Sequence, residues 1–299
     1  MATRKRNPRE GVGCRVDTVI VKGSEMASVI KAKLKEEVND LFPKPQLAIL
    51  LVGDDEESRR YVRLKEKAVD EIGGQCRAIN LPENTTLVEL LGQIRELNAD
   101  PHTHGILVQL PLPGPLATEQ ETVLSSLSVV KDVDGFHPFN RGKLFSTPPF
   151  LVSCAALACM DIITMYRNPR GLLTVLVGDS FDLVQPLALL LMARGSRVCI
   201  IPEAHEWEEV AARADVLVVE KGRPLMVKAD HLKPGALVID AGFHWEAGRV
   251  CGNVDPMSVT GKAGWLVPVP GGIGPLLIAK LLENLLTAYR EQVFAADDW

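Results

Sequence analysis

Ser58, Tyr61 and Lys65 stand three and seven residues apart, a spacing that puts a hydroxyl, an aromatic ring and an amine on one face of a helix. An amine on such a face, once partly withdrawn from water, can take up and return protons near neutral pH. Two more polar groups follow. Gln109 ends the apolar run Gly105-Ile106-Leu107-Val108, and Asp134 lies in Lys131-Asp132-Val133-Asp134-Gly135-Phe136-His137-Pro138. Gathered together, an aromatic face, an amine, an amide and a carboxylate could converge on one ligand, with the amine placed for proton transfer. Each residue also has a plainer reading. Arg59, Arg60, Arg63 and Lys67 make the same segment a solvated basic helix. Tyr61 suits half-buried packing, Gln109 can cap a loop, and Asp134 can hold a turn.

The elements that must position these groups alternate from residue 25 onward. Met26, Val29, Ile30, Leu34 and Val38 predict a helix over 25–41, and the unbroken apolar run 47–52 reads as a strand buried on both faces. A helix at 57–72, a strand at 76–81, a helix at 86–98 and a strand at 105–109 follow. Pro111, Pro113 and Pro115 then forbid further ladder pairing. Such β-α-β-α-β alternation implies a parallel sheet with right-handed crossovers. Thr147-Pro148-Pro149-Phe150 marks a domain boundary, followed by a linking helix at 153–166. A second series has strands at 172–177, 197–201, 215–219 and 236–240 and helices at 183–194 and 206–213. The last helix, 273–293, follows Pro270-Gly271-Gly272-Ile273-Gly274-Pro275. The expected fold is α/β, with two doubly wound parallel-sheet domains over 1–148 and 149–276, the second Rossmann-like. Residues 277–299 are expected to return to the first domain and complete it.

A chain of 299 residues is long enough for two cores, and 46% hydrophobic with 24% charged residues reads as soluble and globular. The net charge of −5 argues against a nucleic-acid partner. Arg4, Lys5, Arg6 and Arg9 form a basic start with no apolar face beside it, read as a solvated tail rather than a targeting peptide. No run reaches the ~20 apolar residues that span a bilayer. The six cysteines form no C-x-x-C pair and the six histidines show no ligand spacing, so no metal is expected and a cytoplasm-like reducing compartment is. The cytoplasm is the expected location, and an organellar matrix is compatible as the alternative.

Val52-Gly53-Asp54-Asp55-Glu56-Glu57-Ser58-Arg59-Arg60-Tyr61-Val62-Arg63-Leu64-Lys65 resembles a segment of the methylenetetrahydrofolate dehydrogenase/methenyltetrahydrofolate cyclohydrolase family. The runs at 105–113 and 131–138 are similar to that family's glutamine and aspartate segments, and the likeness extends over residues 16–290. Separated motifs in the right order are more specific than any one alone. The resemblance implies that Tyr61 stacks on the pterin-aminobenzoyl part of tetrahydrofolate and that Lys65 transfers protons and polarises the one-carbon bridge. Gln109 would orient Lys65, and Asp134 would bond the pterin's amino edge. Ser58, Pro270, Gly271 and Gly272 would complete the substrate site. Two reactions of one-carbon metabolism, supplying purine biosynthesis, are implied: hydride transfer from the methylene bridge to NAD or NADP, and hydrolysis of the methenyl bridge to 10-formyltetrahydrofolate. A homodimer formed through the cofactor domains is implied too.

The cofactor half departs from the family's pattern. Gly178, Ser180, Pro186, Gly222 and Gly274 match positions that would hold a dinucleotide. Val184 replaces a glycine that permits close backbone approach, and Asp179 and Asp182 put negative charge where a diphosphate meets a helix start. Glu203 disfavours a 2′-phosphate, so NAD is favoured over NADP. Glu220 and Lys221 replace small residues beside the cofactor, and Ser153-Cys154-Ala155-Ala156 keeps only the cysteine of a Pro-Cys-Thr-Pro helix start. The dinucleotide site reads as modified or abandoned. Three functions stay open: a bifunctional enzyme preferring NAD, a cyclohydrolase with no nicotinamide bound, and a non-catalytic folate-binding or assembly relative.

Overall fold

The computed structural model describes residues 16–294 except 147 and 247. The basic start, Cys14 and Thr147 lie outside the described residues. In chain order, β1 (Val19–Ile20) and α1 (Gly23–Asn39) precede β2 (Gln46–Val52), α2 (Glu56–Glu71), β3 (Gln75–Leu81), α3 (Leu87–Ala99) and β4 (Gly105–Val108). Two short helices, α4 (Gln120–Ser125) and α5 (Pro138–Lys143), lead to α6 (Cys154–Tyr166). Then come β5 (Leu173–Val177), α7 (Val184–Ala193), β6 (Arg197–Ile201), α8 (Glu208–Ala211), β7 (Val216–Val219) and β8 (Leu237–Asp240). The hairpin β9 (His244–Glu246) and β10 (Arg249–Cys251), α9 (Pro256–Val259), β11 (Trp265–Val267) and α10 (Ile273–Val293) complete the chain.

In the first sheet β2 lies between β3 and β4, parallel to both. Its pleat divides the apolar run between two cores. Leu47, Ile49 and Leu51 face α1, α2 and α10, while Ala48, Leu50 and Val52 face α3 and α4. The second sheet has the order β1-β11-β8-β7-β5-β6, all parallel. Leu176, Val216, Val218 and Ile239 meet α6 and α7 on one face; Val175, Val177, Leu217 and Val238 meet α8 and α9 on the other. Helices therefore cover both faces of each sheet, as the two-domain expectation requires.

Two differences from the sequence expectation have physical causes. The strand at 19–20 pairs with Trp265 and Leu266 in the second sheet, across the division expected at 148/149. Two- and three-residue strands such as β1 and β11 are too short for periodicity to reveal. The helix expected at 206–213 shrinks to 208–211, because Glu206 takes the left-handed φ of 52°, which a helix cannot continue through. Among the described residues no helix is long and apolar enough to cross a membrane.

α10 ties the two halves together. Ile273, Leu276 and Ala279 enter the core beside α6, and Leu281, Leu282, Leu285 and Leu286 enter the core of the first sheet. Each buried leucine contributes about 1.5–3 kcal/mol. Between these groups Asn284 is buried, and its Nδ2 donates to the carbonyls of Val133 and Val152 at 2.8 Å each. One amide thus pins the Asp134 loop and the start of α6 to the same helix. Asn284→Leu would leave the Val152 carbonyl without a side-chain donor and the Val133 carbonyl with only the weak Cys154 thiol, and a loss of about 2–4 kcal/mol is expected in urea unfolding. A loss under about 0.5 kcal/mol would show that neither carbonyl depends on this amide.

Candidate active site

The first turn of α2 is fixed by Asp55, whose carboxylate accepts from the Ser58 amide at 2.8 Å. That hydrogen bond holds the Asp55 carboxyl below its ordinary range. The helix then buries Val62, Lys65, Ala68 and Val69 and leaves Tyr61 at its edge, 38% exposed. Lys65 is 8% exposed, and its Nζ donates to Gln109 Oε1 at 3.0 Å. The Gln109 amide is itself oriented, since Nε2 donates to the Leu110 carbonyl at 2.7 Å and leaves Oε1 toward the lysine. β4 stops just short of Gln109, at the carboxyl end of the sheet, where ligand-facing groups collect in open parallel folds.

Asp134 comes to the same place from a loop held by its neighbours. Lys131 donates to the carbonyls of Leu97, Asn98 and Asp100 at 2.7–3.1 Å and so caps the end of α3. Asp132 accepts from the amides of Phe136 and His137 and from Asn140 Nδ2. Gly135 has φ +70°, and any Cβ there would overlap the Val152–Ser153 backbone. Lys131 and Asp132 are therefore scaffold, and Asp134 is the acid that the loop presents. Burial raises its carboxyl to about 6, against the opposing pull of Lys65. The Cys154 thiol lies 3.8 Å from it and donates to the Val133 carbonyl at 3.5 Å; burial pushes that thiol well up, which marks it as unreactive. Lys65, Gln109, Asp134, Cys154, Asp182 and Leu277 line a recess of about 130 Å³.

A larger cleft of about 660 Å³ shares Ala155, Asp182 and Leu277 with the recess. Tyr61, Pro270, Gly271, Gly272 and Gly274 line it, together with Glu220 and Asp240. Gly23 packs so closely on Gly272 that no side chain fits between α1 and this loop, and its amide donates to the Gly271 carbonyl at 3.0 Å. That contact was invisible to motif reading, because a lone glycine at a helix start carries no distinctive signal. Ser58, expected among the ligand-facing groups, is buried, has its amide bonded to Asp55 and lines neither recess nor cleft. Gly222 also lies away from the cleft: its open side faces Met226 and Asn253. Pro186 is buried in the first turn of α7, a position proline tolerates, and serves packing there.

The turn after β5 is where a Rossmann-like domain receives a diphosphate. Gly178 has φ +140° and Val184 crowds it, as the sequence expectation held. The charge at Glu220 is expected from the sequence; its contact with Ser180 is not. Its carboxylate accepts from the Ser180 hydroxyl and, at 3.4 Å, from the Ser180 amide. Burial and the nearby Asp182 and Asp179 raise the Glu220 carboxyl. Lys221 turns instead to Asp179 at 2.5 Å, with Glu203 3.9 Å away. Asp240 orders the neighbouring turn, accepting from the amides of Gly242, Asn253 and Val254. Ser153 caps α6, accepting from the Ala156 amide at 3.4 Å in place of the missing threonine cap.

Residues 21–134 match the tetrahydrofolate dehydrogenase/cyclohydrolase catalytic domain, and residues 153–293 match that family's NAD(P)-binding domain. The chain belongs to this family. Bifunctional protein FolD 1 of Syntrophomonas wolfei is 47% identical over 276 residues, covering 91% of this chain and 99% of that protein. The bifunctional enzyme FolD of Campylobacter jejuni superposes with a TM-score of 0.86 at 35% identity, covering 92% of this chain and 99% of that one. The Trypanosoma brucei FolD structure, described as complexed with NADP cofactor and inhibitor, gives 0.88 at 30% identity over 93% and 99%. The chain is thus a dehydrogenase/cyclohydrolase of folate one-carbon metabolism with the family's NAD(P)-binding domain.

The raised Asp134 carboxyl has a measurable consequence for this enzyme. Between pH 4 and 6 the folded chain holds a proton at Asp134 that the unfolded chain has released. The associated stability is full below about pH 4 and is lost as pH rises through about 6. Relative to Asp134→Asn, the parent should lose about 2–3 kcal/mol of unfolding free energy between pH 4 and 7. Urea titrations at each pH check this, and a difference between the two proteins that stays flat would refute it.

Proposed function

We propose that Lys65, Gln109 and Asp134 carry both reactions at one folate site, with Tyr61 as the stacking face and NAD preferred over NADP. The observation behind this reading is the Lys65–Gln109 hydrogen bond of 3.0 Å in a recess that Asp134 also lines. In the hydrolytic step water adds to the cationic methenyl carbon. Lys65 removes one proton of the water as the C–O bond forms and delivers it to the ring nitrogen whose C–N bond breaks, while the remaining hydroxyl proton leaves to solvent as the formyl C=O forms, giving 10-formyltetrahydrofolate. Gln109 keeps the amine aimed through that cycle. Asp134, half-buried beside it, accepts from the amino edge of the pterin. Pro270, Gly271 and Gly272 bound the far side of the cleft from Tyr61.

Gly178, Ser180 and Gly274 would hold a dinucleotide, which when bound supplies a hydride acceptor for the methylene bridge. The Gly178 turn is the right cradle, and it stands filled by the Glu220 carboxylate. Asp179 and Glu203 bracket Lys221, so a 2′-phosphate meets two acids and a cation already paired, which supports NAD. Residues 1–148 with 277–299 as a folate unit, save the strand Val19–Ile20 that joins the second sheet, residues 149–276 as a cofactor unit, a homodimer and a cytoplasmic site of action in purine supply belong to the same proposal.

Lys65→Ala should reduce methenyl hydrolysis by at least ~100-fold with little change in unfolding temperature. Turnover within a few-fold of the parent would remove Lys65 from the mechanism. In calorimetric titration NAD should bind more tightly than NADP; the reverse order would contradict the charge argument.

A further inference from the structure

We infer that the Glu220 side chain is a resident occupant of the phosphate turn, and that a dinucleotide must displace it to bind. The inference rests on the reading of residues 153–293 as an NAD(P)-binding domain. A Rossmann turn binds a diphosphate through a glycine that admits close approach and through N–H and O–H donors at the following helix start. Here each part is in use. A Cβ built on Gly178 would overlap the Glu220 carboxylate, which therefore lies in the volume that the glycine keeps open. The Ser180 amide and hydroxyl both donate to that carboxylate. Glu220 lines the cleft while Gly178 and Ser180 do not, so the acid screens the turn from incoming ligand. Among the described residues Glu220 has no ion pair, since Lys221 beside it is drawn to Asp179 at 2.5 Å. Its carboxylate is thus held by the donors that a phosphate would use, and the two anions cannot share them.

The competing role for an acid here is as acceptor for a ribose hydroxyl, which would make Glu220 a cofactor ligand rather than a competitor. Titration of NAD onto the full-length parent, Glu220→Ala and Glu220→Gln separates the two. Displacement requires Glu220→Ala to bind NAD at least about ten-fold more tightly, with Glu220→Gln between it and the parent. Inorganic pyrophosphate should raise the unfolding temperature of Glu220→Ala but not of the parent. Equal or weaker NAD binding by Glu220→Ala, or no binding by any of the three, overturns the inference. Should Glu220→Ala fail to fold, the isosteric Glu220→Gln decides alone: tighter binding supports displacement, and unchanged or weaker binding overturns it. Methenyl hydrolysis by the parent, measured without nicotinamide, tests the folate reading separately, so that either can fail while the other stands.

Discussion

A lysine amine withdrawn from water must be met by an acceptor, and that constraint organises the first half of this protein. Lys65 is turned inward by the amphipathic face of α2 and reaches Gln109 Oε1 at the end of the central sheet. The amide can serve because the Leu110 carbonyl fixes its other end. The acid comes from a separate loop, pinned by Lys131, Asp132 and Asn284 through hydrogen bonds of ordinary length. None of these three pins touches the recess. They make its geometry a property of the fold rather than of flexible side chains, which is what a repeated proton transfer requires.

The second half obeys a different electrostatic rule. Acids gather where a diphosphate would sit, and each is answered locally: Asp179 by Lys221, Glu220 by the hydroxyl and amide of Ser180. The fold is unaffected because the sheet beneath is apolar on both faces, and its register runs from Leu173 to Val177 without interruption. Substitutions at the ends of strands change what a site can bind while the strands stay where they are.

Much of this was legible from the residues. Long periodic elements such as α1, α2 and α10 declare themselves through apolar spacing, and β2 through its unbroken run. The motif carrying Tyr61 and Lys65 and the one carrying Asp134 pointed to a common place, and the structure brings Lys65, Gln109 and Asp134 around one recess. Ser58 was not separable from them, because helical spacing gives a face but not the depth of each residue on it. Glu220 could be flagged as an unusual charge, but its contact with Ser180 spans 40 positions and leaves no local trace. The same holds for β1, whose two residues find their partners near 265.

The two chemistries differ in how much of the molecule they need. On the proposed reading hydrolysis draws on the recess, whose walls come from α2, the end of β4, the Asp134 loop and α6. On the same reading hydride transfer would need that recess and the Gly178 turn together. Asp182 is where they meet, since it lines both cavities, and Phe181 beside it stacks edge-on against Phe136 of the Asp134 loop at 5.1 Å. An altered acid at 220 sits beyond this junction, bonded to Ser180 and not to any residue of the recess. The cofactor half can therefore change its affinity for a dinucleotide while the recess keeps its shape, and the segment from Ser180 to Asp182 is one link between them, beside Ala155 and Leu277, which also line both cavities.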